Sequence, residues 1–182
     1  CYMTEGFPSF ASAGQLEDLT PYITEELRAK YTDELWKTCE YNGITARVPF
    51  LNLTSIVFYN KAMFAEEEIE IPQTWDELLA AAKALTKDTD GDGKTDQWGF
   101  FMDLLRGEMN LHQIAPFIYQ SGATFLNEDG TALGFNNPEG IRGIQYITDF
   151  MVKDNVAPAI GSYSAEEAQQ LFYDGKVAMY AQ

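Results

Sequence analysis

The alternation of apolar and polar residues divides the chain into short helices and short strands. Thr74 followed by Glu77 has the pattern of a capping box, which predicts the start of a helix. The apolar positions after it repeat with helical spacing on one face: Trp75, Leu78, Leu79, Ala82 and Leu85. Asn137-Pro138 predicts a second helix, whose buried side is expected to carry Ile141, Ile144, Ile147 and Met151. Ser164 and Glu167 predict a third, with Ala168, Leu171 and Phe172 directed inward.

The first part of the chain carries shorter helical segments and one strong turn. The apolar positions from Phe10 to Leu19 predict a short helix that is closed by glycine at Gly14 and followed by an irregular segment up to Pro21. Residues 24–41 are rich in helix formers, and their spacing predicts a helix in two pieces. Asn42-Gly43 is typical of a hairpin turn, and residues 44–50 after it predict a strand.

Three further apolar segments predict strands, at residues 51–59, 97–102 and 177–180. Residues 51–59 are almost continuously apolar, which indicates a strand that is buried on both faces. A short helix is expected from Asn60, followed by a solvated acidic run at residues 66–70. Helices that alternate with short strands predict an α/β fold. Because residues 1–3 also predict the end of a strand, we expect the chain to be an interior portion of a longer protein.

The charge balance excludes several classes of partner. The 182 residues include 28 acidic and 12 basic side chains, which gives a formal net charge of −16. Nucleic acids and anionic membranes require a dense basic surface, so neither is expected as a partner. Hydrophobic residues make up 46% of the chain, enough for a globular core. No apolar run approaches the roughly 20 residues that would span a bilayer, so direct membrane insertion of this segment is not expected.

An acidic loop at residues 88–96 is similar to the calcium-binding loop of an EF-hand. The candidate metal ligands are Asp88, Asp90, Asp92, Lys94 and Asp96. Gly93 stands where such a loop must turn sharply, but Gly99 occupies the position of the usual bidentate glutamate. Two interpretations remain open, a structural Ca²⁺ site and a solvated acidic turn. No other cofactor is expected.

Catalytic motifs are absent from the sequence. His112 is the single histidine, and the chain has no nucleophile elbow, phosphate-binding glycine loop or HExxH sequence. Two carboxylates could support glycoside hydrolysis, but no spacing in this sequence singles out such a pair. Phe, Trp and Tyr together make up 14% of the chain, enough to fill a core and leave rings for stacking on the C–H surfaces of sugars. We therefore do not expect an enzyme.

The order of several short motifs resembles that of a known family. The motifs are FASAGQLEDL at 10–19, NG at 42–43, VPF at 48–50, FYNK at 58–61, PQTWDEL at 72–78, DGDGKTDQWG at 90–99, FNNPEG at 135–140 and FYDGKVAM at 172–179. Together they resemble the extracellular solute-binding proteins of ABC sugar importers, the group that includes maltose-binding protein. The resemblance covers nearly the whole chain.

This resemblance implies an α/β fold of the type II periplasmic-binding-protein class, with two lobes built from mixed sheets flanked by helices. Residues 1–47 would form part of the amino-terminal lobe, and residues 48–182 the main part of the carboxy-terminal lobe. Both lobes would be incomplete in this chain.

Six positions of the sequence match places where the family presents ligand-binding residues: Tyr2, Glu5, Asn52, Thr54, Asn110 and His112. Tyr2 and Glu5 match an aromatic platform and a carboxylate. Asn52 and Thr54 follow the predicted crossing between the lobes. Asn110 and His112 replace a glutamate and a tyrosine of the maltose binder, so a preference for maltodextrin is not implied.

The function implied by the resemblance is the capture of a carbohydrate or oligosaccharide in a cleft between the lobes, without chemistry. The partner would be the membrane permease of an ABC importer, and the location extracellular or periplasmic, with a lipoprotein anchor in the full-length protein. Two alternatives remain open: a glycoside hydrolase, and a calcium-dependent binding or adhesion module.

Overall fold

The computed structural model describes residues 6–50, 54–104 and 109–182, and for residues 109–111 it describes the backbone alone. The chain divides into two compact units, Cys1–Thr54 and Ser55–Gln182. The predicted boundary between Arg47 and Val48 concerns the lobes of a longer protein and stays a prediction. In the part of the chain that the structure describes, no helix is long and apolar enough to cross a bilayer.

The described part of the first unit contains short helices and a hairpin. Its elements are α1 (Phe7–Ser12), a 3₁₀ turn (Thr20–Tyr22), α2 (Glu25–Arg28), α3 (Asp33–Lys37), β1 (Glu40–Tyr41) and β2 (Ile44–Thr45). The predicted break within residues 24–41 is confirmed. The Oγ1 atoms of Thr24 and Thr32 each accept a hydrogen bond from an amide three residues later, so each threonine starts its own helix.

The Asn42-Gly43 turn is confirmed by its backbone conformation. Both residues have positive φ, 48° and 86°, as a two-residue hairpin turn requires. The strand after it ends at Thr45, so the predicted extent to residue 50 is wrong. The physical reason is that β2 can pair only as far as its partner β1 extends. β1 is short because it begins at Glu40, soon after α3 ends at Lys37.

In its described residues, the second unit contains a three-stranded sheet with helices on both faces. Its elements are β3 (Val57–Tyr59), α4 (Lys61–Glu66), α5 (Trp75–Leu85), β4 (Phe101–Met102), α6 (Met109–Gln120), α7 (Pro138–Thr148), which continues into a π-helical turn (Asp149–Lys153), α8 (Ala165–Tyr173) and β5 (Met179–Ala181). The strand order is β3-β5-β4. β5 is antiparallel to β3 and parallel to β4, so the sheet is mixed.

Alternating side chains of β5 fill two separate cores. Met179 and Ala181 pack on one face with residues of α5 and α7, including Ala82, Leu85 and Ile147. Tyr180 lies on the opposite face with Phe101 of β4 and Ala168 of α8. The period of two along a strand thus explains why the central strand is buried on both sides.

The predicted burial of residues 51–59 is wrong for the described part of that segment. β3 is three residues long and lies at the edge of the sheet, where Val57 and Phe58 are 45% and 44% exposed. Residues 51–53 lie outside the described residues. β3 is as apolar as a central strand, but in the described structure only β5 pairs with it.

The predicted buried face of α7 is wrong at two of its four positions. Ile141 and Ile144 are 57% and 36% exposed, whereas Ile147 and Met151 are buried as expected. Gly140 and Gly143 occupy the buried side instead. A Cβ atom on Gly143 would lie 2.5 Å from the backbone carbonyl oxygen of Phe117 in α6. Close contact between the two helices therefore selects the glycine face rather than the isoleucine face.

The predicted helix starts are largely confirmed. Ser164 and Glu167 form the complete capping box. Thr74 caps α5 through its Oγ1 atom, but the Glu77 carboxylate accepts a hydrogen bond from the amide of Gln73 rather than from that of Thr74. The capping box at Thr74 is therefore only half formed. α6 is a helix that the sequence patterns did not predict.

Candidate functional site

Several polar segments meet at one end of the sheet in the second unit. β4 and β5 both end there, because they are parallel, and the antiparallel β3 begins there. Ala181 is the register partner of both Val57 and Met102. In open α/β sheets, ligands commonly bind beyond the carboxyl ends of the strands. This end of the sheet is therefore the candidate site within the second unit.

The first half of α6 lies at this end of the sheet. α6 begins at Met109, a few residues after β4, and contains Asn110 and His112. The His112 side chain is exposed, whereas the side chain of Asn110 is outside the described part of the structure. The hydroxyl of Ser55, two residues before β3, donates a hydrogen bond of 2.9 Å to the backbone carbonyl oxygen of His112. The structure thus places His112 beside the start of β3.

The other predicted ligand-binding residues are placed less fully. Tyr2, Glu5 and Asn52 lie outside the described residues. Thr54 is exposed and is the last residue of the first unit, immediately before Ser55 in the chain. Ligand binding by these residues stays a prediction.

A groove of about 280 Å³ opens on the α5 and α6 side of the sheet. It extends from Ser55 and Ile56 to Trp75, and amide side chains of α6, Gln113 and Gln120, lie along it. The sequence patterns assigned Trp75 to a helix face and gave no signal for either glutamine, because α6 was not predicted. The groove is mostly apolar, and a few of the groups that line it can exchange hydrogen bonds.

Trp75 is held in this groove by contacts with three residues. Its Nε1 atom donates a hydrogen bond of 2.6 Å to Oε1 of Gln120. Its ring centroid lies 5.3 Å from that of Phe117 and 4.7 Å from that of Tyr146. The Tyr146 hydroxyl donates to the backbone carbonyl oxygen of Trp75. Burial raises the pKa of Tyr146, and the charges of Asp76 and Asp154 raise it further, so the phenol remains a neutral donor.

The acidic loop brings three of its predicted ligands together. One carboxylate oxygen from each of Asp88, Asp90 and Asp96 lies within 4.8 Å of the others. Asp92 is not in this group, and its carboxylate lies 3.5 Å from Nζ of Lys94. Carboxylates at such a separation are typical of a site for a hard cation, and they are also common in exposed acidic turns. Calcium binding therefore stays a prediction.

Backbone amides also stabilise the acidic loop. The Asp88 carboxylate accepts hydrogen bonds from the amides of Gly91 and Gly93, at 2.7 and 2.8 Å. The bond from Gly93 is the largest cause of the lowered pKa of Asp88. Both glycines have positive φ, which a residue with a side chain rarely adopts. Hydrogen bonds from the loop's own amides therefore stabilise its conformation. The lowered pKa keeps Asp88 ionised at neutral pH.

Comparisons with known proteins cover almost the whole chain. The sequence profile of the family "Bacterial extracellular solute-binding protein" matches residues 4–181. A binding protein of Brucella abortus is 27% identical over 171 residues, which are 93% of this chain and 40% of that protein. The maltotriose-binding protein of Pyrococcus abyssi is 25% identical over 168 residues, which are 92% of this chain and 33% of that protein.

A solved structure supports the same relationship. The ABC transporter solute-binding protein of Thermotoga lettingae, bound with α-D-tagatose, has a TM-score of 0.79 and 28% sequence identity. The match covers 96% of this chain and 44% of that protein. The chain thus spans less than half the length of these relatives. Its fold matches that of the T. lettingae protein, a type II periplasmic-binding-protein fold, as the sequence resemblance implied. From the profile match and the fold together, the chain belongs to the bacterial extracellular solute-binding proteins.

Proposed function

We propose that this protein is the extracellular, sugar-binding component of an ABC importer. The observation that carries the proposal is the similarity to the T. lettingae protein, which was solved with a monosaccharide and matches 96% of this chain. The similarity to a maltotriose-binding protein supports the same class of ligand. The protein would bind a carbohydrate and release it to a membrane permease without any chemical step.

The proposed binding site combines residues of both lobes. Tyr2 would stack on a sugar ring and Glu5 would accept hydroxyl hydrogens, as aromatic rings and carboxylates do in carbohydrate sites. Asn52 and Thr54 would contribute polar groups where the chain enters the second lobe. Asn110 and His112 would act from the first half of α6, where the exposed imidazole can donate or accept a hydrogen bond.

Binding would be coupled to closure of the two lobes. A ligand that contacts both lobes only in the closed form binds that form more tightly, and this difference in affinity shifts the population toward it. The closed, ligand-bound form is the state that a permease would recognise. No bond in the sugar needs to break.

The composition is consistent with a protein that works outside the cell. The family is extracellular, and a net charge of −16 favours solubility over binding to anionic surfaces. We propose that a lipid anchor on the full-length protein holds it at the membrane that contains the permease.

Isothermal titration of the complete natural protein against mono- and oligosaccharides tests this function. We expect sugar-dependent heat with one chemical class of sugar and no product by chromatography. His112→Ala should weaken binding by about tenfold, which corresponds to the loss of a hydrogen bond of about 1.4 kcal/mol to the ligand. Glu128→Ala, at an exposed residue in a loop on the same unit, is the control and should leave the affinity unchanged.

Three results would contradict the proposal. Hydrolysis of a glycoside by the purified protein would favour the alternative of a carbohydrate-active enzyme. Heat with peptides or polyamines, and with no sugar, would show that the ligand class is wrong although the family is correct. Loss of a protein partner on chelation of calcium would favour the alternative of a calcium-dependent adhesion module.

A further inference from the structure

Pro116 interrupts the hydrogen bonding of α6. The helix runs from Met109 to Gln120 and contains this proline in its interior. In an α-helix, each amide donates to the carbonyl four residues earlier. Proline has no amide hydrogen, so the carbonyl of His112 loses the partner that residue 116 would supply.

Ser55 donates to the same carbonyl. Its Oγ atom lies 2.9 Å from the carbonyl oxygen of His112. The next residue, Ile56, exchanges two backbone hydrogen bonds with Gln182, at 2.9 and 3.0 Å, so the backbone after Ser55 is fixed to the sheet. The serine hydroxyl thus connects the start of β3, which is fixed in the sheet, with the carbonyl of His112. This is the carbonyl of α6 that has no amide donor at residue 116, because that residue is proline.

The far end of α6 has an independent attachment. Gln120 accepts a hydrogen bond from Trp75 at the start of α5, and Ser121 donates to the carbonyl of Ile118 at 2.7 Å. The bond from Trp75 attaches the carboxyl-terminal end of the helix to α5, whereas the Ser121 bond is local to that end. The Ser55 bond acts near the amino-terminal end, at His112, where the proposed ligand-binding residues lie.

We propose that Ser55 is a positioning residue for the ligand site: it supplies to His112 the hydrogen bond that Pro116 removes, and so fixes the first half of α6 against the start of β3. This inference rests on the proposed function of α6 in sugar binding. Ser55 acts on the ligand through the helix, and its own contact with the ligand is not required. The proline and the serine are coupled, because the effect of removing the Ser55 hydroxyl depends on whether residue 116 is proline.

A double-mutant cycle in the complete natural protein tests the coupling, with the variants Ser55→Ala, Pro116→Ala and the double variant. Sugar affinity is measured by titration, and amide exchange of residues 109–116 is measured by mass spectrometry. Ser55→Ala alone should weaken binding by about fivefold, the ratio that a hydrogen bond of about 1 kcal/mol corresponds to. It should also speed exchange in the first half of α6.

The Pro116→Ala background should abolish both effects, because the substitution restores a backbone amide that can donate to the carbonyl of His112. In that background, removal of the Ser55 hydroxyl should change affinity by less than about twofold, below the net contribution of one typical hydrogen bond. Ser55→Thr keeps the hydroxyl and should retain wild-type affinity. Ser121→Ala is the matched control, since it removes a hydroxyl-to-carbonyl bond from the other end of the same helix.

Three results would overturn the inference: an unchanged affinity in Ser55→Ala, an equal loss with and without Pro116, or an equal loss in Ser121→Ala. Failure of the proposed function is distinguishable from these results. If the wild-type protein binds no sugar, the role of Ser55 in a sugar site is wrong as well. The exchange measurements still decide whether Ser55 and Pro116 are coupled in the helix.

Discussion

Tyr146 donates its phenolic hydrogen to the backbone carbonyl oxygen of Trp75 and thereby joins α7 to the first residue of α5. The two rings are also in contact, with centroids 4.7 Å apart. Phe117 of α6 packs against the same two rings. Three helices that are distant in sequence therefore meet at one aromatic cluster beside the groove.

Replacement of Tyr146 by phenylalanine should destabilise the protein. The ring remains, but the Trp75 carbonyl loses its donor, so we expect the free energy of unfolding to fall by about 1 kcal/mol. Thermal unfolding of the complete natural protein should show a corresponding decrease in Tm, of about 4 °C or less. Tyr119→Phe, at a largely exposed tyrosine of α6, should change Tm much less. Equal effects at both positions would contradict a specific role for the Tyr146 hydroxyl.

Stability should decrease in alkaline solution because of Tyr146. Burial raises its pKa in the folded state above that of an unfolded tyrosine, which is about 10. Above about pH 10 the unfolded chain therefore binds fewer protons than the folded one, and the free energy of unfolding falls as the pH rises. Urea titrations between pH 8 and pH 11 measure this slope. Tyr146→Phe should show a shallower slope, and an identical slope would contradict the assignment.

Gly143→Ala should destabilise the contact between α6 and α7. The new methyl group would lie 2.5 Å from the carbonyl oxygen of Phe117, so the helices must move apart. We expect a loss of about 1 to 3 kcal/mol, as for other overpacked positions, which exceeds the gain in helix propensity. Ile141→Ala on the exposed side of α7 should change stability by less than about 0.5 kcal/mol. Thermal unfolding of the two variants measures the contrast, and the reverse order would show that the isoleucine face is the packed one.

Calcium should raise the stability of the protein if the acidic loop binds it. A ligand that binds only the folded state at a hundred times its Kd adds about 2.7 kcal/mol. We expect millimolar Ca²⁺ to raise Tm and a chelator to reverse the change. Asp90→Asn keeps the acceptor for the Asp92 amide but removes one charge, so it should reduce the response. The exposed Asp129→Asn is the control, and an equal response in both variants would contradict a site at this loop.

Local features of the fold were predictable from the sequence because their causes are local. Each confirmed helix start depends on a side chain that caps an amide within three residues, as at Thr24, Asn137 and Ser164. The Asn42-Gly43 turn depends on the backbone preferences of two adjacent residues. The alternation of such elements was sufficient to predict the α/β class.

Features that depend on distant partners were not predictable. The apolar composition of β3 indicated a central strand, but its neighbours decide its place at the edge. The choice between the glycine and isoleucine faces of α7 depends on its contact with α6, a helix that no pattern indicated. In the candidate site, His112 was predicted, whereas its link to Ser55 joins residues that only the folded chain brings together.

The position of β5 determines when the β3-β5-β4 sheet of the second unit can form. This strand lies between β3 and β4 in the sheet, yet it follows both in sequence. During synthesis, β3 and β4 therefore leave the ribosome before the strand that joins them. Their apolar segments cannot be incorporated into the sheet until β5 has been synthesised. A ribosome stalled before Met179 should therefore present a nascent chain that lacks this sheet and exposes apolar surface, and emergence of β5 should allow the sheet to form.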